Sequence, residues 1–194
     1  MGTSKASLPW QGTTLVARTC ATLAAVLEGP VLVVRAPGQL LPVLPEDVEM
    51  VVDEHDGRGP LQGLAGGLEA VGNRVDVAFV CSTDLPFLRG AFVRRVVSLA
   101  DLSPTADAVV PVAHGHTHPL AAAYRTSLAG PAAAAASAGR LRLRSFLDEH
   151  HVLYIGVDEL LADPVLAAAD HELWSVTNVN DQQDYARALA ANRG

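Results

Sequence analysis

Short β-branched runs alternating with helical patterns predict an α/β domain, built as a mostly parallel sheet flanked by helices. Composition supports that class, since hydrophobic residues make up 49% and charged residues 18%, enough apolar material for a well-buried core. Length supports it too: 194 residues suit one domain over 1–194 and are short for two.

The elements follow in order. Thr13 or Thr14 can cap a helix that turns Leu15, Cys20, Leu23 and Val26 inward, and Gly29-Pro30 ends it. Val31-Leu32-Val33-Val34 reads as a strand buried on both faces. A proline-punctuated loop from Pro37 to Pro45 leads to a second short strand, Met50-Val51-Val52. After a loop from Gly57 to Gly63, Leu64, Leu68 and Val71 form a helical stripe that feeds a strong strand from Val75 to Cys81. A helix near Ala91 to Ala100, a strand at Ala108 to Val112 and a returning strand at Pro119 to Tyr124 come next. Helices are expected around Thr126 to Ala138, which takes in the alanine run, and around Leu141 to His150. Val152 to Val157 is a further strand, and Asp181 to Asn192 a closing helix.

One element is missing from this series. A doubly wound domain opens on a central strand that runs into a glycine-rich loop, whereas Met1-Gly2 already reads as the interior of that loop. Without a first strand, the Val75-to-Cys81 segment is expected to carry an unpaired edge in mid-sheet. Each backbone group left without a partner there costs about 1–3 kcal/mol.

Charge excludes several functions. Acids outnumber Lys plus Arg by 21 to 14, for a net charge of −7, so the basic stripe of a nucleic-acid binder is absent and no nucleic acid is expected. No stretch reaches the roughly 18 apolar residues of a membrane span, and no basic head precedes an apolar core at the N-terminus, so no membrane partner is expected. The two cysteines, Cys20 and Cys81, lack CxxC spacing and read as small buried hydrophobes in a reducing, cytoplasmic setting.

A few residues can carry chemistry. Lys5, close after Gly2, can set its ammonium against nucleotide phosphates and stabilise charge on a departing pyrophosphate. Asp84, in Thr83-Asp84-Leu85-Pro86, lies just beyond a buried strand, where ligands bind in open α/β sheets; its carboxylate can hold Mg²⁺ or, alternatively, cap the next helix. Asp53 opens an acidic, glycine-containing loop that can approach a base or ribose, or can be an ordinary surface turn. His114-Gly115-His116-Thr117-His118 has the period of a strand-face metal site, but Gly115 and its position between two strands favour a hairpin turn. Asn178-Val179-Asn180 offers two amides to a substrate or caps the closing helix.

Taken in order, these motifs resemble the molybdenum cofactor guanylyltransferases of the MobA type, nucleotidyltransferases with a Rossmann-like, three-layer fold. The resemblance runs through Met1-Gly2-Thr3-Ser4-Lys5, then Asp53 with Gly59-Pro60-Leu61-Gln62-Gly63, and then Asp84-Leu85-Pro86-Phe87. It continues through His118-Pro119-Leu120 and closes on Asn178-Val179-Asn180. It departs from the pattern at the Leu-Ala-Gly-Gly opening, which is absent, at Ser4, where Asp is usual, and at Thr83, where Cys is usual. An N-terminally truncated domain with its first strand absent is therefore expected.

The resemblance implies GTP and the molybdopterin cofactor as substrates, Mg²⁺ as cofactor, and a molybdoenzyme or cofactor-biosynthesis protein as partner. It implies that Gly2, Lys5, Asp53 and Asp84 bind the nucleotide, with Lys5 and Asp84 catalytic and Asp84 holding the metal. His118, Asn178 and Asn180 fall on the pterin side. Cytidylyl transfer to the same pterin, transfer to a phosphorylated metabolite, and a catalytically silent paralogue that acts by binding are the competing expectations.

Overall fold

The structure is a computed structural model that describes residues 9–10, 12–53 and 59–179. Gly2, Lys5, Asn180 and the expected helix over 181–192 lie outside the described residues. β1 (Pro9–Trp10) and β2 (Thr13–Thr14) form a small antiparallel hairpin that runs straight into α1 (Leu15–Ala24). Thr14 caps α1, its hydroxyl oxygen accepting the Ala17 N–H at 3.4 Å.

β3 (Val31–Arg35) and β4 (Val48–Val52) pair in parallel as a two-stranded sheet. α2 (Pro60–Val71) begins earlier than expected, so the Gly59-to-Gly63 motif is the first turn of a helix and not a loop. Gly59, at φ 75°, takes a cap conformation that side chains rarely adopt, and Pro60 has no N–H to leave unbonded at the first helical position.

The remaining elements are β5 (Val77–Cys81), α3 (Gly90–Asp101), β6 (Ala108–Ala113), β7 (His116–Thr117) and β8 (Ala121–Arg125). They are followed by α4 (Ala129–Ser137), α5 (Leu143–Leu147) and β9 (Val152–Ile155). Val157, expected to end a strand, instead opens α6 (Val157–Leu161), and α7 (Pro164–Ala169) follows. The start of α7 is set locally, because the Asp163 carboxylate accepts the Leu166 N–H at 2.8 Å and Pro164 stands in the first turn.

β8 lies between β5 and β6 and runs against both, while β9 pairs in parallel with β6. β5, β6 and β9 therefore share one direction, and the returning strand β8 is the reversed member. Side chains alternate across this sheet. Val109, Ala121 and Ala123 face one cluster with Phe92, Val93 and Val96 of α3. Ala108, Val110, Ala122 and Tyr124 face another with Leu61, Leu64 and Leu68 of α2 and Phe146 of α5. Burial on both faces is what makes three layers, and each fully buried Leu or Phe contributes about 1.5–3 kcal/mol.

Helices tie the two sheets together. Leu23 of α1 packs on both the β3 cluster and the α3 cluster, and α2 brings Gly67 up against Val34, where an added Cβ would sit 3.3 Å from Cγ2. Val26, two residues past the end of α1, packs on the first residue of α3 at Gly90, where a Cβ would stand 2.5 Å from Val26 Cγ1, so only glycine permits the approach. Among the described residues, β3 pairs only with β4 and β5 only with β8. No described helix is long and apolar enough to cross a membrane.

Candidate active site

Asp84 stands just past the end of β5. The helix that follows is capped at Arg89, so Asp84 is not serving as its N-cap. Instead the Ser82 hydroxyl donates a short hydrogen bond to Asp84 Oδ1. The Ser82 N–H donates to the Leu120 carbonyl at 3.0 Å, and the Val179 N–H donates to the Asp84 carbonyl at 2.9 Å. The carboxylate-bearing turn is thus held from both sides, by the His118-Pro119-Leu120 segment and by the Asn178-Val179 segment. From behind, Arg18 Nε of α1 donates to the Pro86 carbonyl at 2.9 Å. Phe87 anchors the end of the turn, its ring 5.7 Å from both Trp10 and Trp174 and edge-on to each.

The histidine segment is a tight hairpin. His114 at φ 52° and Gly115 at φ 76° occupy the two central positions between Ala113 and His116, which pair across β6 and β7. Positive φ at those positions breaks strand alternation, so the three imidazoles do not line one face. His114 Nε2 lies 2.9 Å from the Glu172 carbonyl, and the His114 and His118 rings meet edge-on with centroids 6.5 Å apart. Among the described residues no group of three or more His, Cys, Asp or Glu side chains is placed to hold a metal. His118 Nε2–H donates to the Ala113 carbonyl at 3.0 Å, and the Tyr124 hydroxyl donates to the Pro119 carbonyl at 2.6 Å, which fixes the hairpin against Ser82. Burial pushes the His118 pKa down; the Ala113 carbonyl opposes that shift, and His114 and His116 add to it.

Asp53 sits in the other sheet. Its N–H donates to the Arg35 carbonyl at 2.8 Å, which puts the residue at the carboxyl end of β4. Of the sequence-predicted residues, the structure therefore joins Asp84, the His118 segment and the Asn178 segment directly, and sets Asp53 on the neighbouring sheet.

Four other residues shape the site without having stood out in the sequence. Ser82 orients the carboxylate and Arg18 braces the turn. The buried Asp170 carboxylate accepts the N–H groups of Trp174 at 2.8 Å and Ser175 at 2.9 Å. Between them Leu173 is held at φ 52°, a left-handed conformation that costs a non-glycine residue about 1–2 kcal/mol. Ser82, two residues before an acid in a turn, had a readable hydrogen-bonding signal. Arg18 had none, because its partner is 68 positions away.

Burial pushes the Cys81 thiol up to about 12, with Cys20 and Asp84 nearby adding to the shift, so it stays protonated and is no thiolate nucleophile. What remains chemically is a hard oxygen donor at the carboxyl end of a strand, and Mg²⁺ accepts one or two such carboxylates with water and phosphate completing its shell. The Asp84 carboxylate fits that ion.

A three-layer α/β sheet with an oriented carboxylate at this strand end is an arrangement that suits a nucleotidyltransferase. Residues 1–153 match the model of the MobA-like NTP transferase domain. The probable molybdenum cofactor guanylyltransferases of Mycobacterium bovis and Mycobacterium tuberculosis are 38% identical over 158 residues, covering 80% of this chain and 76% of theirs. In fold, the chain is similar to the crystal structure of molybdopterin-guanine dinucleotide biosynthesis protein A from Archaeoglobus fulgidus. That match has a TM-score of 0.75 at 21% identity and covers 99% of this chain and 92% of the other. The chain belongs to the MobA-like NTP transferase family, in agreement with the resemblance read from its motifs.

Proposed function

We propose that the protein transfers GMP from GTP to the terminal phosphate of molybdopterin, making the guanine dinucleotide form of the cofactor. A phosphate oxygen of molybdopterin attacks the α-phosphorus of GTP, the bond from that phosphorus to the bridging oxygen breaks, and pyrophosphate leaves with the electron pair. The observation that carries the reading is the clamped Asp84 turn, bonded both to the His118-Pro119-Leu120 hairpin and to Asn178-Val179. The names of the mycobacterial relatives support the choice of substrates.

In this reading Asp84 would hold Mg²⁺, which would supply charge neutralisation for the phosphates. Lys5, with Gly2, holds the phosphates, Asp53 accepts from the nucleoside, and His118, Asn178 and Asn180 face the pterin. The protein's share of catalysis is positioning and charge neutralisation, with no covalent protein intermediate. The neutral thiols of buried Cys20 and partly buried Cys81 suit a reducing cytoplasm, where a molybdoenzyme or another cofactor-biosynthesis protein would take the product.

Thermal unfolding in Mg²⁺ with GTP, CTP, ATP or UTP tests the reading. At a hundredfold excess over Kd a specific nucleotide adds about 2.7 kcal/mol to the native state, so GTP should raise Tm by several degrees and the others by less. A larger shift with CTP would make the reaction a cytidylyl transfer. No shift with any nucleotide would favour a silent binding protein.

A further inference from the structure

Beside the Asp84–Phe87 turn the surface carries two guanidinium groups and an exposed indole that the proposed reaction has not used. Arg18 spends only Nε, on the Pro86 carbonyl at 2.9 Å. Among the described residues its Nη groups and the whole Arg89 guanidinium have neither a hydrogen-bond acceptor nor a carboxylate partner. The two charges stand close enough for Arg89, together with burial as the larger cause, to push the Arg18 pKa down. Neighbouring like charges repel one another, and a bound anion relieves that repulsion.

The indole is Trp174, 47% exposed. It is presented by an unusually determined turn. Asp170, only 3% exposed, fixes the N–H groups of Trp174 and Ser175, while Leu173, 1% exposed, is held left-handed just before it. Ser175 Oγ accepts the Arg89 backbone N–H at 3.1 Å, so the turn that shows Trp174 and the segment that carries Arg89 are bonded to each other. Phe87 supports the ring from one edge at 5.7 Å. An exposed tryptophan with a locked backbone and an aromatic brace can offer a flat face for stacking at little conformational cost.

We propose that Arg18, Arg89 and Trp174 form a subsite on the flank of the Asp84 turn that binds a flat heterocycle carrying a phosphate, with the pterin substrate as its occupant. The ring stacks on Trp174 and the phosphate lies toward the two guanidiniums. This rests on the guanylyltransferase reading above, which supplies two ligands of that chemistry, the pterin and GTP. Asn178 favours the pterin, because the reading above assigns it to the pterin and its neighbour Val179 is bonded to the Asp84 carbonyl.

The test uses the full chain, a stable pterin phosphate monoester and GTP, each titrated in Mg²⁺ by calorimetry and by indole emission. Trp174→Ala and Arg89→Gln should each weaken the pterin phosphate about tenfold and leave GTP within about twofold. Trp174→Phe, which keeps a stacking face, should recover most of the loss. The Arg89 change leaves the backbone bond to Ser175 in place, and unchanged Tm in both variants excludes a fold effect. If wild-type protein binds both ligands and the variants bind the pterin phosphate equally well, the subsite is refuted while the reaction stands. If the loss falls on GTP, the pterin is the wrong occupant. If wild-type protein binds neither ligand, the reaction and the subsite fall together.

Discussion

Ser82 and Asp84 show how much of this site depends on one hydroxyl. A carboxylate at a strand end can swing among rotamers, and the donor from Ser82 to Oδ1 selects one of them, while the Ser82 N–H fastens the same residue to Leu120. If Asp84 holds the metal, losing that hydroxyl should loosen metal binding without removing it. Ser82→Ala is expected to weaken Mn²⁺ binding in the presence of GTP by about tenfold, or 1.4 kcal/mol, as read by the electron paramagnetic resonance of free Mn²⁺. Ser82→Thr should restore it and Asp84→Asn should abolish it. The backbone bond to Leu120 survives all three changes, so unfolding midpoints should stay within about 1 kcal/mol of wild type. Unaltered Mn²⁺ binding in Asp84→Asn would remove the carboxylate from the metal's shell.

At the level of elements, the β6–β7 hairpin and the strand β8 position the site, and His118 secures them. Its imidazole is half-buried and donates to Ala113, and burial favours the neutral form. The folded pKa therefore lies below the unfolded value of about 6.5. As pH falls the unfolded chain takes up the proton first, so the stabilisation is fully present above that value and is lost as pH drops through the folded pKa. Urea midpoints at pH 7.5 and 5.5 should fall more steeply for wild type than for His118→Asn, which keeps a donor but cannot titrate. Equal slopes would show that His118 contributes nothing to the hairpin's pH response. How legible these elements were in the chain depended on how local their causes are. β5 and β6 are apolar runs and the His114-Gly115 turn carries its own glycine, so their patterns could be read directly. α2 starts before its apolar stripe, because glycine and proline, which read as loop residues, here form a cap and a first turn. α6 has no readable start, because Val157 resembles the end of the preceding apolar strand, whereas Asp163-Pro164 carries a start signal for α7. The Asp84 turn could be read, but Arg18 reaches it from 68 positions away and Ser175 bonds Arg89, just beyond it, from 86, across contacts that no local pattern encodes.

Across the whole molecule, stability should be uneven in a way the strand partners dictate. β8 is bonded on both sides, to β5 and β6, and β6 is bonded to β8 and β9. β5 and β3 have one partner each among the described residues, and helices α1 and α2 carry the contact between their sheets. A strand with two partners opens only when the sheet does, whereas a strand with one presents alternate amides to whatever lies beyond it. Hydrogen exchange should then be slowest through Ala121–Arg125 and Ala108–Ala113. In Val77–Cys81 and Val31–Arg35, protected and unprotected amides should alternate. The candidate site lies against this less protected strand, at the end of β5, so nucleotide binding has something to order. With Mg²⁺ and GTP, exchange at Ser82 and Val179 should slow because the Ser82 amide ties the Asp84 turn to Leu120 and the Val179 amide bonds to the Asp84 carbonyl, while β8, already near the global limit, should change little. Uniform protection across β5 and β8 without ligand would mean that β5 has a second partner beyond those described. A GTP effect spread evenly over all strands would mean that binding stabilises the fold as a whole and not this turn.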